Sequence, residues 1–428
     1  MSIALPSIAR RMSVVPRRWL AFLACAVAAC GSKPGPSRPY ALASAGAQLQ
    51  LQPQPAIKLV PADLASDVDV VLVHQEFYGL PWESFEAGTA PPAEWVAAMD
   101  DLAARARTVG PVFLSLQLVT GPGRRFLADR AVVANGALAN PAGMATECYD
   151  FSTASDAASK RAAYVAYVDW MVRRFQPRWV NVAIEMNLFM SCGDGPWNAL
   201  VDVERAAYAA AKAAASGVLA FPSIQIDVLY GWGPDCLTPA NRDACFDASY
   251  ARLANVARDR FAISSLPHLV PALADPAAVP GGWFTRAGDR GGERTVVAET
   301  GWLGTPMVVA FNGCTTAITS GEDAQLAWFD RLMDEARSHA LELVTWVSNR
   351  DLLPTAMMSD CPCGFDPVWC SFLADFRQSV GTDPLSQANA EFGIKQFGSM
   401  GLRRYDGTPR TALYARWQAA RALPWAGR

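Results

Sequence analysis

Short apolar runs separated by longer stretches of helical periodicity constrain this chain more than any other feature, because that alternation is how repeated βα units around a parallel sheet are written. Seven runs read as strands: Val68 to Glu76, Val112 to Val119, Trp179 to Asn187, Leu219 to Asp227, Phe261 to Leu266, Thr295 to Glu299 and Leu343 to Ser348. Closure needs an eighth, and the simplest place for it is Gln48 to Gln52. The expected class is therefore α/β, a (β/α)8 TIM barrel with long disulfide-bearing loops, and an open sheet is the alternative. A length of 428 residues fits one such barrel, and a composition 51% hydrophobic and 18% charged fits its large buried core. Between the strands, Tyr164, Val168, Met171 and Phe175 keep one helical face, and Ser320-Gly321-Glu322-Asp323 reads as a capping box ahead of Leu326, Phe329 and Met333. A last helix is predicted from Pro409 to Ala422, after the turn Tyr405-Asp406-Gly407.

The N-terminus reads as a targeting segment. Arg10, Arg11, Arg17 and Arg18 precede Trp19 to Ala29, an apolar stretch too short to span a bilayer. Val27-Ala28-Ala29-Cys30-Gly31 resembles the bacterial lipobox, which implies that Cys30 is acylated and becomes the N-terminus of a lipoprotein. Ser32, where an Asp would retain the protein at the inner membrane, implies an outer-membrane destination in the cell envelope. An ordinary signal peptide with a chance cysteine is the alternative. Residues 1–29 are thus expected to be a leader, 30–55 a flexible tether rich in Gly, Pro, Ser, Ala and Gln, and 56–428 the barrel. Membrane contact is expected only through the lipid. A net charge of -3, with no basic run beyond the leader, argues against nucleic acid as a partner.

Of the 10 cysteines, Cys25 leaves with the leader and Cys30 is committed to lipid. The remaining set is even, which in an oxidising compartment points to disulfides, with Cys236 and Cys245 the most local pair and the other connectivity open. Cys361, Cys363 and Cys370 could instead be metal thiolates, but no histidine lies near them, and no metal or other cofactor is expected.

Strand alternation sorts side chains by face. It gathers His74 and Glu76, Ser115 and Gln117, Glu185 and Asn187, Gln225 and Asp227, Glu299 and Trp346 on the barrel interior, most of them at strand C-terminal ends. Active sites assemble at that end of such barrels. Glycoside hydrolysis needs two carboxyl groups flanking the sugar linkage, and Glu185 on the fourth strand and Glu299 on the seventh would face one another across the mouth. Their separation would decide between retention and inversion. Asn187, Glu76, His74, Gln117, Gln225 and Asp227 are expected to bind substrate. Trp82, Trp197, Tyr230, Trp232, Trp283, Trp302 and Trp346 fall in or beside βα loops, where aromatic faces stack on pyranose rings; Trp302 and Trp346 are the two expected to do so.

Val296-Val297-Ala298-Glu299-Thr300-Gly301-Trp302 resembles the strand-seven segment of the clan of retaining barrel glycosidases that includes the endo-β-1,4-galactanases and β-glucanases. Gln325, Trp346 and the run from Gly401 to Leu413 extend that resemblance over about residues 60 to 420. It implies an exported glycosidase acting on a polysaccharide or oligosaccharide, with Glu299 as nucleophile and Glu185 as general acid. Two departures stand out. The clan has Asn directly before the strand-four acid, whereas this chain has Ile184-Glu185-Met186-Asn187; Leu266 stands where the clan often has a nucleophile-orienting Tyr. Glu76 is the substitute acid. A non-catalytic sugar-binding lipoprotein on the same barrel, or an envelope scaffold without glycan, are the alternatives.

Overall fold

The computed structural model of the chain describes residues 37–50, 56–233, 236, 239–307, 310–311, 314–315, 318–339, 341–358, 377–378 and 382–427. Arg38–Arg428 forms one compact unit. Cys30, the leader, and Cys361, Cys363 and Cys370 lie outside the described residues. No described helix is long and apolar enough to cross a membrane.

Among the described residues, eight parallel strands form the barrel. They are β1 (Ala41–Ala45), β2 (Val70–His74), β3 (Val112–Ser115), β4 (Trp179–Asn181), β5 (Leu219–Phe221 and Ser223–Gln225), β6 (Phe261–Ser265), β7 (Thr295–Thr300) and β8 (Leu341–Ser348). Each pairs with the next, and β8 returns to β1, so the expected (β/α)8 closure is present. Pro222 splits β5. Before it the strand pairs with β4, after it with β6, and a residue without an N–H suits the point where the ladder changes partner.

The first strand differs from the sequence expectation. It is Ala41–Ala45, inside the segment read as tether, and Gln48 instead belongs to an antiparallel hairpin of Ala47–Gln50 with Ala56–Leu59. Alanine and serine carry little strand propensity, so Ala-Leu-Ala-Ser-Ala reads as linker, yet all five side chains are buried. An ion pair buried at both ends, Arg38 to Asp69 at 2.5 Å, holds β1 at its start, and the same carboxylate accepts from Leu42 N at 2.9 Å.

Helices α1 (Ala93–Val109), α2 (Ala157–Phe175), α3 (Asp194–Ala214), α4 (Arg242–Ala251), α5 (Arg286–Gly291), α6 (Glu322–Ser338), α7 (Pro384–Lys395) and α8 (Thr411–Ala422) follow the strands. Tyr164, Val168, Met171 and Phe175 of α2 are fully buried, as their spacing predicts, each side chain contributing about 1.5 to 3 kcal/mol relative to exposure. The capping box does not form. Gly321 occupies the N-cap of α6, and the Ser320 hydroxyl bonds Ile318 O and Met307 N instead.

Among the described residues there are two disulfides. Cys236–Cys245 is the local pair expected, and Cys148–Cys192 ties the long loop after β3 to the segment after β4.

Much of the C-terminal run that carried the family resemblance is a clasp. Arg403 pairs with Asp67 through both nitrogens at 2.7 and 2.8 Å, Arg410 pairs with Asp351 at 2.5 Å, and Gln325 donates to Trp302 O and Gly401 O. Gly401 is required by close approach, since a Cβ there would lie 2.3 Å from Asp351 N.

Candidate active site

Strand alternation delivers His74 to the mouth at the end of β2, where a one-turn helix, Gln75–Tyr78, follows directly and carries Glu76. Glu299 arrives differently. Between β6 and β7 the register advances by one, Ile263 facing Val297 and Ser264 facing Glu299, so Ala298 is an extra residue. A bulge of this kind bends the strand and re-aims the side chain beyond it.

Glu185 departs from the alternation argument. β4 ends at Asn181, and Glu185 takes left-handed backbone angles, φ 48° and ψ 38°, ahead of the 3-10 segment Met186–Cys192. Glutamate is not among the residues that favour this region, and such strain is held only where the surroundings over-determine it. Arg124, in the Gly-Pro-Gly-Arg-Arg loop beyond β3, is also left-handed, with φ 52°. The two strained residues meet, Arg124 Nε lying 3.2 Å from Glu185 Oε2.

The side chains link in series across the mouth. His74 Nε2 is 3.1 Å from Glu299 Oε1, and His74 Nδ1 is 3.7 Å from Glu76 Oε1. Gln117 donates to Glu76 Oε2 at 3.3 Å, and Arg124 donates to that same oxygen at 3.4 Å and to Glu185. The His74 to Glu299 approach lacks hydrogen-bond alignment, so among the described residues both imidazole nitrogens and Glu299 Oε1 are buried without a hydrogen-bond partner. Unpaired buried polar atoms are uncommon in folded proteins, and both residues belong to the charged cluster.

Three carboxyl groups and one guanidinium cannot all ionise cheaply in a buried site. Burial first, then repulsion from Glu185 and Glu76, pushes Glu299 well above the usual carboxylate range, with Arg124 opposing. Burial also raises Glu185, against the attraction and hydrogen bond of Arg124. Burial disfavours the Arg124 cation, but Glu185, Glu76 and Glu299 outweigh it and its pKa is raised. His74 is pushed down by burial, only partly offset by Glu76, and is neutral near pH 7. Burial and mutual repulsion thus work against charging Glu185 and Glu299 together, and the Arg124 contact favours charge on Glu185 over Glu299.

His74, Glu76, Arg124, Gln225, Glu185 and Glu299 line one cavity of about 410 Å³, within the size range of small-molecule sites. Other expected residues lie elsewhere. Asn187 turns away and bridges to β5, donating to Gln225 O at 3.0 Å and accepting from Gln225 N at 2.7 Å. Asp227 is fully buried, accepts from Ser265 Oγ at 2.9 Å and Leu266 N at 3.3 Å, and burial pushes it up to about 7. Trp302 and Trp346 are closed off completely, their indole N–H groups spent on Thr319 O and Met400 O. Neither presents a face to the cavity. Trp82, Trp197, Tyr230 and Trp283 are buried as well, and only Trp232 of the seven aromatics is partly exposed.

Sequence reasoning missed Arg124. Its signal was weak: a basic pair in a glycine-rich loop at the C-terminal end of a barrel strand. Ser115, which strand parity places on the interior, joins a polar layer beneath the site, in which the Asn181 amide donates to Ser115 Oγ and Ser223 Oγ at 3.1 and 3.0 Å. Among the described residues no group of three His, Cys, Asp or Glu side chains has the arrangement of a metal site.

No family model matches the chain, and no curated protein matches it. Solved structures do align with it. GH5_18 from Streptomyces cattleya in complex with GlcNAc is 14% identical over 84% of this chain and 72% of its own, with a TM-score of 0.47. GH10 from Paenibacillus barcinonensis is 13% identical over 90% and 96%, also at 0.47. One of two fungal β-1,4-galactanases is 12% identical over 84% and 91%, at 0.46. The barrel assignment rests on the strand order and not on these similarities.

Proposed function

We propose that the chain is an exported glycoside hydrolase that cleaves O-glycosidic bonds by a two-carboxylate, retaining mechanism, with Glu299 as nucleophile and Glu185 as general acid and base. One observation carries this reading: Glu299 and Glu185, brought in by β7 and by the segment after β4, line the same cavity, where burial raises the pKa of both. In the first step the proton on Glu185 passes to the leaving oxygen as Glu299 attacks the anomeric carbon; in the second, Glu185 takes a proton from water, whose oxygen displaces Glu299. His74 Nε2, 3.1 Å from Glu299 Oε1, packs beside the nucleophile. Attack needs a proton on Glu185 and charge on Glu299, so Arg124 must withdraw from Glu185 when the sugar enters.

The Arg124 contact also favours a second reading. A Glu185 held as an ion has no proton to give, as in a carbohydrate-binding protein built on a glycosidase barrel. Kinetics separate the two. In Glu185→Ala, kcat/KM for a dinitrophenyl glycoside, whose leaving group needs no protonation, is expected to stay within about tenfold of wild type while its kcat falls because water loses its base, and kcat/KM for an alkyl glycoside drops about 10²- to 10⁴-fold. Glycan binding by the wild-type protein without turnover of either substrate supports the binding protein.

A further inference from the structure

Beyond the charged cluster, the wall of the cavity is unlike a carbohydrate subsite. Gln225 and Ser348 are its other polar side chains among the described residues. Phe77, Leu188, Leu266, Leu269, Leu352 and Phe397 cover much of the rest, contributed by loops beyond β2, β4, β6 and β8. Among the described residues no indole lines the cavity, since Trp302 and Trp346 are packed beneath. A polysaccharide carries hydroxyls on every ring, and burying those against leucine and phenylalanine leaves them without partners. Among the described lining residues, the polar atoms without a hydrogen-bond partner, Glu299 Oε1 and both nitrogens of His74, belong to the charged cluster. The cavity thus has one end for a single polar ring and aliphatic walls for something that makes no hydrogen bonds.

We infer that the substrate is a glycoside of an apolar alcohol, one sugar at the carboxylates and a hydrocarbon aglycone along the Leu188, Leu266, Leu269 and Phe397 wall. This rests on the hydrolase reading and narrows it. The anomeric C–O bond breaks, the carboxyl proton goes to the aglycone oxygen, and water supplies the hydroxyl on the sugar and returns a proton to the carboxylate. The released alcohol is apolar. Each buried methylene strengthens binding about fourfold, so chain length is a sensitive readout.

The test uses the full chain and matched methyl, butyl and octyl glycosides of glucose, galactose and mannose, below micelle-forming concentrations. For the sugar that is turned over, kcat/KM should rise at least tenfold from methyl to octyl, and Leu269→Gln should reduce that ratio. A flat or falling series, or faster cleavage of a polysaccharide than of the octyl glycoside, overturns the inference and leaves the hydrolase reading standing. If nothing is hydrolysed, that reading fails separately. Calorimetric titration of Glu299→Gln then reads the cavity alone: octyl bound at least tenfold tighter than methyl supports an apolar aglycone, and equal binding overturns it.

Discussion

Glu299 is only 6% exposed and contacts a neutral imidazole, not a cation. Its folded pKa is raised, so the folded state binds a proton more tightly than the unfolded chain does. The contribution to stability is complete below the ordinary carboxylate pKa and is lost as pH rises through the elevated one. Glu299→Gln, which keeps the shape of the protonated form, is expected to melt at higher temperature than wild type at pH 7 to 8, with the gap closing as pH falls toward 4. Thermal scans across that range check it; a gap that widens on acidification contradicts the protonation scheme. At this scale the sequence was informative where a side chain follows from strand parity and silent where backbone strain does the aiming. His74 and Glu299 were readable. Glu185 reached the expected place by an unexpected route, a left-handed residue beyond the end of its strand, and Arg124 was invisible because loop residues carry no periodicity.

The segment after β4 shows how an element fixes the site. Reading Trp179 to Asn187 as one strand put Glu185 and Asn187 on the same face, but the strand stops at Asn181 and the two side chains part. Ser223 accepts from Glu185 N at 2.9 Å and Asn187 braces Gln225, so the β4 to β5 junction sets where the acid points. Asn187→Ala removes an amide that satisfies two backbone groups of Gln225. It should lower the unfolding free energy by about 1 to 3 kcal/mol, measurable by urea denaturation. A change below about 0.5 kcal/mol would mean that the bridge is not structural. Strand positions beyond the first were legible because β-branched and aromatic residues mark them. The first was missed because Ala-Leu-Ala-Ser-Ala has the composition of a linker.

For the whole molecule, the rhythm of the sequence was enough for the barrel, while the resemblance that suggested carbohydrate chemistry drew largely on residues of the scaffold. Gln325, Trp346, Arg403 and Arg410 hold the C-terminal clasp together and do not line the cavity. The apolar wall is spread over loops far apart in sequence, and no local pattern announces it. Export and anchoring through Cys30 form a proposal at this scale. Wild-type protein expressed in a bacterial host should partition into a detergent phase and Cys30→Ala into the aqueous phase; equal partitioning contradicts lipidation.

The central claim, that Glu299 attacks the anomeric carbon in a cavity shared with Glu185, is tested most directly by trapping. A 2-deoxy-2-fluoro glycoside with a dinitrophenyl leaving group, incubated with the protein and followed by peptide mass analysis, should leave one sugar bound to the peptide that contains Glu299. A label on Glu185 or Glu76 instead, or burst-free binding of the reagent with no covalent adduct, contradicts the account.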